Sequence, residues 1–256
     1  MAVAIVLSDE QLERYGRQIL VQDFDVEGQE RLAQSCVLIL GQGGLGNPAA
    51  LYLAAAGIGR LILADGDTVE LSNLQRQIAH NNASIGQNKA VSAAATVGAL
   101  NPTTVLQVVP ELLDASNMSR SVESADLVID ATDNYPSRFA LNRACIAAGV
   151  PLVSGAAVRS EGQVAVFDPH RGGPCYRCLY PSEGADTALS CSESGVLAPL
   201  VGVIGSLQAM EAVKILAGYG ESLRGKLLAI DLATMDFRRL QLAPRAGCPD
   251  CAHLQG

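Results

Sequence analysis

Three groups of residues in this chain are spaced for chemistry. The first is Gly41-Gln-Gly43-Gly44-Leu-Gly46, which follows the short apolar run Cys36-Val-Leu-Ile-Leu40. It fits the G-x-G-x-x-G spacing with an extra glycine at 44. Missing β-carbons let the backbone turn sharply and let a phosphate approach the amides of a helix expected from near Asn47 and Pro48, where the helix dipole favours an anion. Glycines also serve packing at many strand-loop-helix turns, so the loop needs its neighbours to point to a nucleotide. The second group is Asp65, Arg76, Lys89 and Asp133. Asp65 stands 19 residues after Gly46, where a carboxylate meets ribose hydroxyls in dinucleotide-type folds. The third group is Cys175-Tyr-Arg-Cys178 with Cys248-Pro-Asp-Cys251. Two C-x-x-C pairs supply four thiolates, the number a closed tetrahedral zinc site takes, and such a site is structural because no position stays open. A redox dithiol is the competing use, and the Cys-Pro-Asp-Cys form suits it.

The elements that must carry these groups can be read from periodicity. Ser8-Asp-Glu-Gln11 has the capping-box pattern and predicts a helix through Leu20, with Arg14 and Arg17 on one face. Val37 to Leu40 is too short for a helix and too apolar for an exposed strand, so it reads as the central strand of a parallel sheet. Helix (Pro48 to Ala56), strand (Arg60 to Asp65), helix (about Asn88 to Leu100), strand (around Val105 to Val109), strand (Asp126 to Asp130), helix (about Pro136 to Ala148) and a short strand at Pro151 to Ser154 follow in turn. This near-alternation predicts a doubly wound, Rossmann-like and mostly parallel α/β sheet. The aperiodic segment Gly66 to Gly86 reads as a functional loop. Beyond residue 155, strands at Gln163 to Phe167, Lys226 to Asp231 and Phe237 to Leu242 are expected to extend the sheet in antiparallel fashion. The stretch near 172 to 199 reads as a long loop. An apolar helix from about Pro199 to Ala217 must be buried, either in the core or in a subunit contact.

One domain over residues 1–256 is expected: N-terminal helices over 1–35, a nucleotide-binding half over 36–155, and a second half over 156–256 holding the sheet extension, the zinc site and the partner-binding surface. The net charge of -8 argues against a broad nucleic-acid footprint. The longest apolar run is interrupted by proline, glycine, Ser206 and Gln208, and the N-terminus lacks a basic leading segment, so a cytoplasmic protein with no membrane anchor is expected. Of the three remaining cysteines, Cys36 and Cys145 read as inert core, and Cys191, in a polar loop, is the candidate reactive thiol.

The second group also discriminates between chemistries. A hydride-transferring, NAD-dependent oxidoreductase would use the glycine loop and one acid, but gives no role to two further cations and a second acid. A triphosphate with magnesium does: Arg76 and Lys89 neutralise phosphate oxygens and Asp133 holds the metal.

Taken together, Gly-Gln-Gly-Gly-Leu-Gly-Asn (41–47), Leu-Ser-Asn-Leu-Gln-Arg-Gln (71–77), Ala-Thr-Asp-Asn (131–134), the two cysteine pairs and Gly-Val-Ile-Gly-Ser-Leu-Gln-Ala-Met-Glu-Ala-Val-Lys (202–214) resemble the MoeB/ThiF family, bacterial relatives of ubiquitin-activating enzymes. The resemblance spans essentially the whole chain. It implies a homodimer that uses ATP and Mg2+ to adenylate the C-terminal glycine of a ubiquitin-like sulfur-carrier protein, ahead of thiocarboxylate formation by a separate sulfur donor. It assigns Gly41, Gly43, Gly44, Ser72, Asn73, Arg76, Lys89 and Asn134 to the nucleotide, Asp65 to the ribose, Asp133 to magnesium, and the four cysteines to structural Zn2+. Arg17 matches a position that reaches the partner subunit's site like an arginine finger. Cys191 matches a loop cysteine that joins the carrier in one branch. The segment 153–163 favours a molybdopterin-synthase (MoaD-like) carrier; a thiamine-pathway (ThiS-like) carrier is the alternative. Since the chain stops after the second cysteine pair, without an appended rhodanese domain, the sulfur is expected to come from another protein.

Overall fold

A computed structural model describes residues 7–181 and 194–254. Eight strands form a single sheet: β1 (Cys36–Leu40), β2 (Arg60–Ala64), β3 (Val105–Val109), β4 (Leu127–Asp130), β5 (Leu152–Val158), β6 (Glu161–Phe167), β7 (Lys226–Asp231) and β8 (Asp236–Gln241). The helices among the described residues are α1 (Asp9–Ile19), α2 (Asp25–Gln34), α3 (Gly46–Ala55), α4 (Lys89–Leu100), α5 (Met118–Glu123), α6 (Tyr135–Ala148), the single turn α7 (Tyr176–Leu179) and α8 (Ala198–Ala217).

The strand order is β3-β2-β1-β4-β5-β6-β7-β8. Pairing is parallel from β3 through β5 and antiparallel from β5 through β8, the mixed sheet that the sequence predicts. Strand order reverses between β1 and β4, so a crevice opens beyond their carboxyl ends. Register fixes what lines it. Leu40 pairs with both Ala64 and Asp130, so the glycine loop, Asp65 and the 131–134 loop leave the sheet at one level.

The inner strands β1, β2 and β4 are buried on both faces, which is why their centres are apolar, whereas the edge strand β3 is partly exposed and carries Gln107. Val37 and Ile39 pack on the side covered by α3, α4 and α8, whereas Leu38 and Leu40 pack on the side of α5 and α6. Helix ends follow local chemistry. Ser8 and Gln11 form the expected capping box, Asn88 caps α4, and α6 stops at Gly149 in the left-handed conformation. The apolar helix near the C-terminus lies in the core: Leu200, Ile204 and Ala212 of α8 are fully buried. Its length and composition alone would suit a membrane, yet 56% of its apolar stretch is packed inside the fold.

Three expectations are corrected. The strand at 151–154 is longer, because its second half pairs with β6, Ala156 opposite Gln163; a boundary at residue 155 therefore falls inside β5. The 66–86 loop contains two 3-10 turns, Leu71–Asn73 and Asn82–Ser84. Helix α7 interrupts the long loop expected near 172–199.

Candidate active site

The crevice is a cavity of about 1170 Å³. One wall is the glycine loop with Asp65, Asp67, Arg76 and Lys89; the other is Asp133, Asn134 and Arg138; Asp231 and Arg238 lie at the far end.

The loop turns where only glycine fits. Gly41 has φ +93°, and a Cβ there would stand 2.7 Å from the Ala131 carbonyl oxygen; at Gly46 a Cβ would stand 1.9 Å from the Gly41 carbonyl oxygen. Strand end and helix start are thus in backbone contact. Asp65 accepts the Gln42 N–H at 2.7 Å and the Asp67 N–H at 2.8 Å, one on each oxygen. Burial pushes its pKa up, against the pull of these amides and of Lys89. Lys89 is buried and pairs with Asp67 at 2.8 Å. The Arg76 guanidinium reaches the Ser72 carbonyl at 3.1 Å, which leaves its other donors for the cavity.

Across the cavity, Asp133 is exposed and has no hydrogen bond or ion pair among the described residues. Beneath it, Arg138 is buried, donates to the carbonyls of Thr132 and Gly155, and lies 3.9 Å from Asp130. Burial works against the Arg138 charge, but Asp130 and the tyrosines beside it more than offset this and hold its pKa above the ordinary value. Asp130 in turn takes the Thr132 N–H and hydroxyl and the Ser154 hydroxyl.

Gly41, Gly43, Gly44, Asp65, Arg76, Lys89, Asp133 and Asn134 therefore meet in one cavity. Asn134 also caps α6 through the Ser137 N–H at 3.0 Å. Ser72 and Asn73 do not line it: the Ser72 hydroxyl binds Glu70, and the Asn73 amide oxygen is taken by the Glu70 N–H at 3.1 Å. Polar residues in a turn spend their side chains on the turn. Arg17 is exposed on α1, away from its own chain's cavity, and Cys191 lies outside the described residues. Sequence reasoning missed Asp67 and Arg138. Arg138 had a signal, a cation one turn into a helix whose neighbours Phe139 and Leu141 are core.

The cysteine pairs come together beside the cavity without lining it. All four Sγ atoms lie within 4.8 Å of one another, with separations of 3.9 Å (Cys175 to Cys178), 3.6 Å (Cys175 to Cys248) and 3.5 Å (Cys178 to Cys251). A tetrahedral zinc with sulfur ligands at its usual bond length needs about 3.8 Å between sulfurs, so this donor set fits one. No disulfide joins them, and the Arg245 N–H points to Cys178 Sγ at 3.3 Å. Asn142 of α6 ties both pairs to the site wall, accepting the Tyr176 N–H at 2.8 Å and donating to Asp250 at 2.9 Å.

A doubly wound sheet with a glycine loop, phosphate-side cations and an opposed acid defines a nucleotide-binding α/β protein. The chain belongs to the ThiF family, whose model matches residues 15–250. It is 52% identical over 245 residues to the molybdopterin-synthase adenylyltransferase of Escherichia coli, covering 96% of this chain and 98% of that one. It is also 44% identical over 250 residues to the SAMP-activating enzyme E1 of Haloferax volcanii, covering 97% of this chain and 92% of the relative. Among solved structures, that of E. coli MccB with AMPCPP and MccA aligns with TM-score 0.83 at 25% identity, over 93% of this chain and 74% of MccB.

Proposed function

We propose that this chain is an ATP-dependent adenylyltransferase acting on the C-terminal glycine of a ubiquitin-like sulfur-carrier protein of the molybdopterin-synthase kind. The observation that carries this reading is the cavity itself, in which buried Lys89 and half-buried Arg76 stand across from Asp133, which has no partner among the described residues. The relatives named for molybdopterin-synthase and SAMP activation support the class of acceptor. A cavity of about 1170 Å³ exceeds the usual size of a single small-ligand site, which suits ATP together with the end of a second polypeptide. The NAD-dependent alternative leaves both cations and the cysteine centre without a role.

The carrier carboxylate is already a nucleophile, so no general base is needed. Its oxygen attacks the α-phosphorus in line, the bond to the β-phosphate bridging oxygen breaks, and pyrophosphate leaves. The glycine-loop amides and Arg76 hold the phosphates, Lys89 counters charge moving onto the leaving group, and Asp65 orients the ribose. Asp133 would hold Mg2+, which when bound neutralises phosphate charge. The four cysteines would hold a structural Zn2+. In a homodimer Arg17 would serve the partner's cavity; Cys191 and a separate sulfur donor belong to the later thiocarboxylate step. A cytoplasmic setting suits this chemistry.

The test is ATP:pyrophosphate exchange by the purified protein against a panel of sulfur carriers ending in Gly-Gly. Exchange that depends on a MoaD-like carrier and exceeds that with a ThiS-like one is expected. Absence of exchange with every carrier would sink the adenylation reading, and preference for the ThiS-like carrier would move the chain to the thiamine pathway.

A further inference from the structure

The glycine loop is held by a buried contact that the roles above do not use. His80 is only 7% exposed. Its Nε2 lies 3.0 Å from the Gln42 carbonyl oxygen and its Nδ1 lies 2.8 Å from Ser92 Oγ. A carbonyl only accepts, so Nε2 carries the proton and Nδ1 accepts the Ser92 hydroxyl. Burial holds the His80 pKa below its ordinary value, which favours this neutral ring. The three segments so joined are those that carry the phosphate-side groups: the glycine loop, the stretch with Arg76 four residues before His80, and the helix with Lys89 one turn before Ser92.

Peptide planarity gives this contact a consequence. In a trans peptide the carbonyl of one residue and the N–H of the next point in opposite directions. The Gln42 carbonyl is turned inward, to His80 and to the Asn47 amide nitrogen at 2.9 Å. The Gly43 N–H must then point the other way, to the side on which Gly43 lines the cavity. That N–H meets no acceptor among the described residues. Glycine at 43 puts no steric block on flipping this peptide. A flip would set a carbonyl oxygen, in place of a donor, against the phosphates. We propose that His80 is a positioning residue for the nucleotide, locking the Gln42–Gly43 peptide so that the Gly43 amide faces the phosphate chain.

This inference rests on the proposed nucleotide site, and its test keeps the two apart. The full chain is titrated calorimetrically with magnesium and AMPCPP and, separately, with adenosine. His80→Gln sets an amide nitrogen near the position of Nε2 and keeps the bond to Gln42; His80→Asn reaches only Ser92; His80→Leu keeps neither. The expected result is AMPCPP affinity within about twofold of the parent for His80→Gln and about tenfold weaker for the other two, the effect of one lost hydrogen bond. Adenosine affinity stays unchanged throughout, because it has no phosphate. A histidine that merely fills the core would weaken both ligands together or neither, and glutamine would do no better than asparagine. Should the Asn and Leu variants fail to fold by circular dichroism, Ser92→Ala carries the test. It frees the tautomer and should cost about threefold for AMPCPP alone. Equal AMPCPP affinity across the folded variants, or a parallel loss of adenosine, overturns the inference. A parent protein that binds no AMPCPP overturns the nucleotide reading instead.

Discussion

The two walls of the cavity solve opposite problems. On the glycine-loop wall the charged side chains and the inward-facing carbonyl are held by the protein, Asp65 by two amides, Lys89 by Asp67 and the Gln42 carbonyl by Asn47 and His80. This leaves the Gly43 amide and the spare Arg76 donors to face the cavity. On the facing wall Asp133 stands exposed with no partner among the described residues, and the order lies one layer below, in Arg138, Asp130 and Ser154. A surface that donates amides to an anion must be rigid before the anion arrives, since reorganising it would consume binding energy. A carboxylate destined for a cation has to remain unpaired until the cation binds, because a protein partner would compete for it.

This contrast predicts that function and stability separate on one wall and not on the other. Removing Asp133 should show the separation most strongly. Asp133→Ala is expected to reduce carrier-dependent exchange by at least about a thousandfold, on the scale of losing a charge that acts on the transferring phosphate. Since the side chain is exposed and holds nothing among the described residues, the melting temperature should stay within about 1 °C of the parent, as for exposed substitutions generally. Exchange near the parent level would remove Asp133 from the mechanism, and a large fall in melting temperature would show that it braces the wall after all.

How far these walls were legible in the sequence depends on where each side chain spends its bonds. The strands could be read because a parallel sheet covered on both faces demands unbroken apolar runs, as in Val37 to Leu40 and Leu127 to Ile129. Asp65 and Asp133 could be placed because they follow strand ends that register brings level, and Lys89 because it opens α4, whereas Arg76 lies in the turns after Leu71–Asn73. Ser72 and Asn73 were assigned to the nucleotide by motif, yet their side chains close a local turn, a competition that sequence spacing does not reveal. Helix α5 went unread because its six residues, Met-Ser-Arg-Ser-Val-Glu, bury only Met118 and Val122, a single i, i+4 pair too short to mark a face. The full length of β5 was hidden by Gly155-Ala-Ala157, which have little strand preference and owe their conformation to pairing with β6. His80 carried no local signal, since its partners are 38 and 12 residues away.

The Asp133 wall has a second support, the cysteine centre, which reaches it through Asn142 and α6. With zinc bound there, Cys251→Ser should lower stability by about 4 kcal/mol, a magnitude typical of losing a structural metal or a buried network. The loss should appear as zinc below half an equivalent by metal analysis and a lowered melting temperature. Because Tyr176 and Tyr180 line the cavity directly beside this centre, the change should also alter tyrosine fluorescence, a signal not masked by tryptophan, of which the chain has none. Full zinc content in the variant would mean that Cys251 is not a ligand, and a parent protein without zinc but with reactive thiols would return the dithiol reading.

The smallest of these effects probes the rigid wall by steric means. At Gly46 an added Cβ would come within 1.9 Å of the Gly41 carbonyl oxygen, a backbone atom with no free torsion to move it aside. Gly41 cannot retreat easily either. Its φ of +93° is already in the region that excludes side-chain-bearing residues, its N–H is bonded to the Ala64 carbonyl at 2.9 Å, and the Ala131 carbonyl lies close behind it. Gly46→Ala must therefore push α3 away from the end of β1, at a cost of about 3 kcal/mol, the upper part of the range for overpacking. Displacement of the helix start moves the very amides that would face phosphate, so AMPCPP affinity should fall together with the melting temperature. A variant that loses stability yet binds AMPCPP normally would mean that the loop keeps its shape independently of its contact with the helix, and that the rigidity ascribed to this wall lies in His80, Asn47 and Asp65 alone.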